Sequence, residues 1–427
     1  MARALTQQQK IFRNVDFILL NINALLIILG YGLAVYTDTA SVPMVKLIKT
    51  AFLAVSLIAL LKNLQFKSNP FPSPTIIYLL VFAFWVTLMA FFVEDVVFSI
   101  MRAMTFIFPL FYTYLVLSNL ANKYDVYSLL KAFARSFNLI YSLPIIVFLL
   151  SGAGFSQANI YGQTGNSGHF FISNQYGWAC AMFLITGMDV WLNTQPKKLY
   201  KYYLLGTSVV GLFLVMASGN RASWVAICLA IIIFTLRLKN IRSDFKLLIA
   251  LIPIVGIIWF YQLPESSLQA RLSDTETQID KGEARFNTAK YAFGVFNEDK
   301  IKWITGAGMF NYEGTIGSDG LGNYHNSYLE VLFGGGIGLF IMFINFMIFR
   351  PFYYYIKYYS KTFLLITPVA IIPVFESNLT GGQFLFYPWF VFILLFNIPP
   401  EYDKKRWELI RSKKEKQQKL LVKPKFI

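Results

Sequence analysis

Phe17–Tyr36 reads FILLNINALLIILGYGLAVY, an uncharged run of 20 residues. At about 1.5 Å of rise per residue, a helix of roughly 20 apolar residues crosses the ~30 Å hydrocarbon core of a bilayer. The run is too long for the hydrophobic region of a cleaved leader, and no small-residue cleavage site follows it, so it predicts a first spanning helix. Similar runs recur near 45–61, 75–92, 97–118, 137–151, 176–193, 201–217, 222–238, 246–262, 326–349, 361–375 and 383–397. The chain is 56% hydrophobic and 14% charged, against about 25% charged for a soluble domain, which excludes a water-soluble fold. The pattern predicts an all-α polytopic membrane helix bundle of about 12 transmembrane helices. Its expected organisation is nine helices over 1–262, a long extracytoplasmic loop over 263–325, three helices over 326–397 and a basic cytoplasmic tail over 398–427.

Charge fixes the expected orientation. The net charge of +16 comes from 38 Lys and Arg facing 22 Asp and Glu, and the excess gathers in alternate connections and in the tail. Lys10 and Arg13, Lys62 and Lys67, Lys123, Lys131 and Arg135, Lys197, Lys198 and Lys201, Arg237 to Lys246, and Arg350 to Lys361 all fall on one side of the alternation. Cytoplasmic connections carry such an excess, so both termini are expected in the cytoplasm. Lys46, Lys49 and the long loop are the exceptions. The partner of the basic segments is then membrane lipid, whose anionic headgroups attract each charge by about 1 kcal/mol, and not nucleic acid. Cys180 and Cys228 fall inside expected spans as packed thiols, and neither histidine, His169 or His325, has a metal-ligand partner at a usual spacing, so no metal and no cofactor are expected.

The long loop is the one sizeable hydrophilic insertion. Glu283–Phe296, EARFNTAKYAFGVF, sets Phe286, Ala289, Phe293 and Phe296 at helical spacing, which predicts an amphipathic helix on the outer surface with its stripe facing lipid or the bundle. Gly306–Asn323, GAGMFNYEGTIGSDGLGN, reads as irregular chain returning to the bundle. No strand precedes Gly306 and Gly308, so a phosphate-cradling loop is not expected there.

Charges at membrane depth cost a few kcal/mol on insertion scales and need a reason. Asp189 sits near the inner end of its span, where an interfacial, snorkelling carboxylate suffices. Glu330 is expected to pair inside the bundle. Arg102 lies about two turns from Glu94 and Asp95, and either pairs with them or binds an anion. Arg221 closes the polar corner Ser218-Gly219-Asn220-Arg221 on the outer side, as an interfacial anchor or as a planar donor fork suited to a diphosphate. His325 stands where the long loop re-enters the membrane, as a hydrogen-bonded interfacial residue or as a base near working pH that nearby arginines keep unprotonated.

Three stretches together resemble the O-antigen polymerase and O-antigen ligase superfamily of bacterial envelope polysaccharide enzymes. They are Ser218-Gly219-Asn220-Arg221-Ala222-Ser223-Trp224, Gly282-Glu283-Ala284-Arg285-Phe286, and His325-Asn326 followed by Leu329 and a glycine-rich helix. Gly168–Gln175 resembles, loosely, the loop before a middle helix of these proteins. The resemblance implies metal-independent glycosyl transfer on the outer leaflet from a polyprenyl-diphosphate-linked oligosaccharide. Carried over by position, Arg221 and Arg285 bind the diphosphate, His325 deprotonates the acceptor hydroxyl, and Glu376 orients the histidine or binds sugar. Arg102 joins the candidate substrate-binding set. The ligase-like pattern has one glycine at Gly336 and a second a turn later, where Leu339 stands; Gly335 and Gly338 restore the pair with a shift of one residue. That departure favours a polymerase of repeat units for O-antigen, capsule or exopolysaccharide, with a flippase and chain-length regulators as partners. The alternatives are a ligase acting on lipid A core or another acceptor, and a flippase or transporter. Twelve spans suit a transporter, but transporter halves are often repeats, and no internal repeat is visible.

Overall fold

The computed structural model describes residues 7–36, 73–93, 96–150, 173–194, 196–217, 221–237, 284–309, 326–354, 356–357, 391–398, 408 and 412. Among the described residues the ordered elements are helical, with no strand. They are α1 (Gln7–Phe12), α2 (Val15–Tyr36), α3 (Ser73–Met89), α4 (Val96–Lys123), α5 (Val126–Tyr141), α6 (Leu143–Leu150), α7 (Ser173–Thr194), α8 (Lys198–Ala217), α9 (Arg221–Arg237), α10 (Ala284–Glu298), α11 (Lys302–Thr305), α12 (Ser327–Ile344) and α13 (Arg350–Tyr354). A single turn of π-helix, Asn345–Phe349, joins the last two.

Four stretches among the described residues are long and apolar enough to cross a membrane: Thr75–Phe92, Val126–Leu150, Lys198–Met216 and Ser327–Tyr354. The expected spans 17–37, 97–118, 176–193 and 222–238 are also helical, as α2, α4, α7 and α9. The expected spans 45–61, 246–262 and 361–375, and 383–397 up to Trp389 and Phe390, lie outside the described residues.

The expected span 137–151 starts earlier than the sequence indicated. Asp125 caps α5, its side chain accepting from the Ser128 backbone N–H at 2.7 Å, so the helix begins at Val126. Lys131 and Arg135, expected in a connection, ride on the helix instead. Both lie over aromatic rings, Lys131 over Tyr127 at 4.1 Å and Arg135 over Phe12 and Tyr200 at 5.7 and 5.6 Å. The opposite face of the same helix, with Leu129, Leu130, Phe133, Phe137 and Tyr141, is buried.

Inter-helix contacts define the direction of each helix. Lys123 and Asp16 pair at 3.6 Å, tying the end of α4 to the start of α2. Asn138 on α5 is fully buried and satisfied from two neighbours: it donates to the Phe183 carbonyl of α7 at 2.8 Å and accepts from the Tyr200 hydroxyl of α8 at 2.7 Å. Such polar contacts hold helices together where lipid offers no hydrophobic drive between them. Further along, two turns on from Asn138, Ile145 of α6 meets Phe183 of α7 and Gly211 of α8, so α5–α6 runs parallel to α8 and antiparallel to α7. Between α3 and α12, Asn345 donates to the Tyr78 hydroxyl at 2.6 Å while Trp85 reaches Gly335, an antiparallel pair.

These directions sort the helix ends into two groups. The starts of α2, α3, α5 and α8 and the ends of α4, α7 and α12 share one end of the bundle, which carries Lys10, Lys123, Lys131, Arg135 and Lys201. The starts of α4, α9 and α12 and the ends of α3, α6 and α8 share the other. Asp189, expected to snorkel to the interface, is instead 1% exposed, packed inside α7. A position count along the span does not reveal which face of α7 packs against its neighbours and takes the carboxyl out of solvent.

Candidate functional site

The second end of the bundle is built around a broken helix. α12 loses helical geometry at Gly336, where φ is 73° and ψ is −177°. That backbone favours glycine, since a side chain in the left-handed region costs roughly 1–2 kcal/mol. A break leaves main-chain carbonyls without their helical partners, which is expensive at membrane depth. Here two are recaptured from outside the helix: Phe333 O accepts from the Ala307 N–H at 2.7 Å, and Gly335 O accepts from the indole N–H of Trp85 at 2.9 Å.

The segment that supplies Ala307 is clamped on both sides. A side chain on Gly306 would collide with the Gly334 carbonyl, and one on Gly336 with the Ile304 carbonyl, so two glycine-bearing backbones meet face to face. Met309 N–H donates to Met89 O at 3.2 Å, and the Ser99 hydroxyl donates to Met309 O. Residues 306–309 therefore bridge α12 to the α3–α4 corner. The glycines expected to be plain turn formers serve close packing. Gly338 meets nothing within 4 Å, while Leu339 is buried and packs over Gly335. The tight glycines of α12 are therefore Gly334, Gly335 and Gly336.

α10 docks on the same structure. Ala292 and Phe296 are fully buried, with Phe296 4.6 Å from the Trp303 ring and 5.7 Å from Phe333, and Tyr291 6.2 Å from Phe333. Phe293, in the stripe expected to face lipid or the bundle, is 42% exposed. The helix presents its Ala292–Phe296 edge to the bundle, one step around from the spacing the sequence emphasised.

The candidate residues distribute as follows. Arg221 is the first residue of α9; Trp224 one turn on donates to Val215 O at 2.8 Å, tying the start of α9 to the end of α8. Arg102 lies three residues along α4 from the buried Ser99. Arg285 is the second residue of α10, roughly 16 Å along the axis from Phe296. The side chains of these three arginines, and the whole of His169, His325, Glu376, Glu94 and Asp95, lie outside the described residues. The residue after His325, Asn326, caps α12: with φ −152° and ψ 106°, its side-chain oxygen accepts from Tyr328 N at 3.0 Å and Leu329 N at 3.1 Å. Glu330 follows in the first turn and is 1% exposed, as expected of a carboxylate held within the bundle. The starts of α4, α9 and α12 thus bring Arg102, Arg221 and the neighbour of His325 to one end of the molecule.

Sequence reading missed Trp85 and Ser99. Each looks like an ordinary resident of an apolar span, and the partners lie 250 and 210 residues away.

The fold and the polar end define a multi-pass helical membrane protein with a broken helix at one mouth of its bundle. Residues 206–344 match the O-antigen ligase family model, which supports the place of the chain in the O-antigen polymerase and ligase superfamily. The match takes in Arg221, Arg285 and His325 and leaves out Arg102 and Glu376. No curated protein matches the chain.

Proposed function

We propose that this protein is a polymerase that joins polyprenyl-diphosphate-linked oligosaccharide repeat units at the outer leaflet of a bacterial inner membrane. The observation that carries the reading is the O-antigen ligase match over 206–344, because it encloses the two arginines and the histidine that the chemistry needs. The shared end of α4, α9 and α12 is consistent with it. So is the concentration of Lys10, Lys123, Lys131, Arg135 and Lys201 at the opposite end, as expected if that end and both termini face the cytoplasm.

In the proposed reaction, an acceptor sugar hydroxyl attacks the anomeric carbon of the donor. The new C–O bond forms as the bond from that carbon to the diphosphate breaks, and the electron pair leaves with the polyprenyl diphosphate. His325 takes the hydroxyl proton. Arg221 and Arg285 hold the diphosphate, with Arg102 as a further anion-binding group and Glu376 on the sugar or the histidine. Negative charge grows on the leaving group in the transition state, and fixed cations in a partly dry site stabilise it more than water does. This division of labour needs no metal ion. A flippase and chain-length regulators are the partners this role requires.

A ligase acting on lipid A core is the second reading, favoured by the description of the matched family. Leu339, packed on Gly335 where the ligase-like pattern has its second glycine, is the feature that favours polymerase. Purified protein given radiolabelled lipid-linked repeat units alone separates the two. A ladder of lengthening lipid-linked products supports the polymerase; no product until lipid A core is added supports the ligase and overturns the polymerase.

A further inference from the structure

We propose that the protein binds an anionic phospholipid at the basic end of the bundle, with one acyl chain in a cleft between α3, α4 and α12 and the phosphate on Arg350. The cleft measures about 320 Å³ and is lined by Leu79 and Phe82 of α3, Leu110 of α4, Phe343 of α12, and Phe346 and Met347 of the π-turn. Tyr78 supplies its one hydroxyl, which already accepts from the Asn345 amide at 2.6 Å. Water needs two or more polar partners to stay in such a place, so the cleft suits hydrocarbon. Beside it α12 widens into the π-turn Asn345–Phe349, a form frequent at functional sites.

The headgroup end is set by a cation. Arg350 stands at the Tyr78 rim, its guanidinium 5.6 Å from the centre of that ring. Its Nη1 is shut off from solvent and has no hydrogen-bond partner among the described residues. A charged donor withdrawn from water is costly until an anion meets it. The helices lining the cleft do not supply one: α3 and α4 carry no Asp or Glu, and the single carboxylate of α12, Glu330, is 20 residues from Arg350, roughly 30 Å along the axis. A phosphate from the surrounding leaflet fits the planar fork. Tyr78 falls three residues inside the Thr75–Phe92 span, the level at which headgroups give way to acyl chains. Lys10, Lys123, Lys131 and Lys201 at the same end favour an anionic headgroup over a neutral one. The donor diphosphate of the proposed reaction belongs to the opposite end, beyond Gly336, which is 14 residues and roughly 20 Å from Arg350. The occupant is therefore a bilayer lipid of this leaflet, and the inference stands without the transferase reading.

The test uses the full chain, purified in detergent and given a sub-saturating amount of phosphatidylglycerol that carries a diazirine in one acyl chain. After irradiation, peptide mass spectrometry maps the adducts. They should fall on Phe343, Phe346 and Met347, and Arg350→Gln should reduce them about five-fold, the worth of one basic residue at an anionic headgroup, while adducts elsewhere persist. No adduct within 342–347 of the native chain, or an equal yield in a folded Arg350→Gln protein, overturns the site. If that variant does not fold, the native chain decides. A diacylglycerol with the same diazirine and no phosphate should label 342–347 several-fold less, and equal labelling overturns the role of Arg350. Excess polyprenyl phosphate should leave the phospholipid adducts in place; loss of them would assign the cleft to the donor lipid and overturn the proposal.

Discussion

Gly336→Ala should destabilise the protein, while Gly338→Ala, two residues along the same helix, should not. At Gly336 the backbone sits at φ 73°, and an added methyl carbon would collide with the Ile304 carbonyl and crowd the Gly306 N–H. The left-handed backbone contributes roughly 1–2 kcal/mol and the overpacking about 1–3 kcal/mol, so a loss on the order of 2–5 kcal/mol follows. At Gly338 nothing lies within 4 Å, and replacing glycine by alanine in a helix gains about 0.5–1 kcal/mol. The pair shares a helix, a chemistry and a mutation, so differences in expression or insertion largely cancel. Reversible unfolding in mixed micelles of increasing SDS content, followed by tryptophan fluorescence, reads the difference directly. Equal midpoints for the two variants would refute the break at Gly336 and with it the clamp formed by residues 304–309.

Trp85→Phe keeps the ring but removes the indole donor to Gly335 O, leaving that carbonyl unpaired; the expected loss is about 1–3 kcal/mol in the same unfolding assay, and an unchanged midpoint would show that the carbonyl has another donor. Asn326→Ala removes the acceptor of two backbone N–H groups and should lower stability by about 1 kcal/mol, whereas Asn326→Ser, still a capping residue, should restore most of it. Adding a chelator to the purified protein should leave glycan transfer unchanged, because the proposed leaving group is neutralised by arginines; inhibition reversed by a divalent cation would reinstate a metal.

Much of the helical frame was legible because lipid imposes a simple pattern. The runs at 75–92, 201–217 and 222–238 end in charge or turn residues, and α3, α8 and α9 start and stop within a few positions of them. α5 was harder to read: Lys131 and Arg135 occupy one stripe of an otherwise buried helix, and a hydropathy average counts the stripe against the span without seeing that it lies on one face. The edge by which α10 docks was also hidden, since Ala292, Phe293 and Phe296 are all apolar and only the shape of Trp303 and Phe333 decides which are covered. Contacts between distant segments left no local mark. Gly306 and Gly334 each read as a flexible residue until the two backbones are brought together, and the indole of Trp85 has no polar neighbour in sequence to announce its partner. For the site, the order of Arg221, Arg285 and His325 in the chain was readable, and the structure adds the common end at which α4, α9 and α12 begin.

The central claim is that Arg221, Arg285 and His325 act together on a lipid-diphosphate-linked glycan. Its most direct measurement is single-turnover transfer from radiolabelled donor by purified protein, comparing the native chain with His325→Ala, Arg285→Ala and Arg221→Ala. With each variant confirmed folded by its unfolding midpoint, all three should fall by about 100-fold or more, as expected when a general base or a transition-state cation is removed. Native rates of product formation in folded His325→Ala and Arg285→Ala proteins would contradict the account.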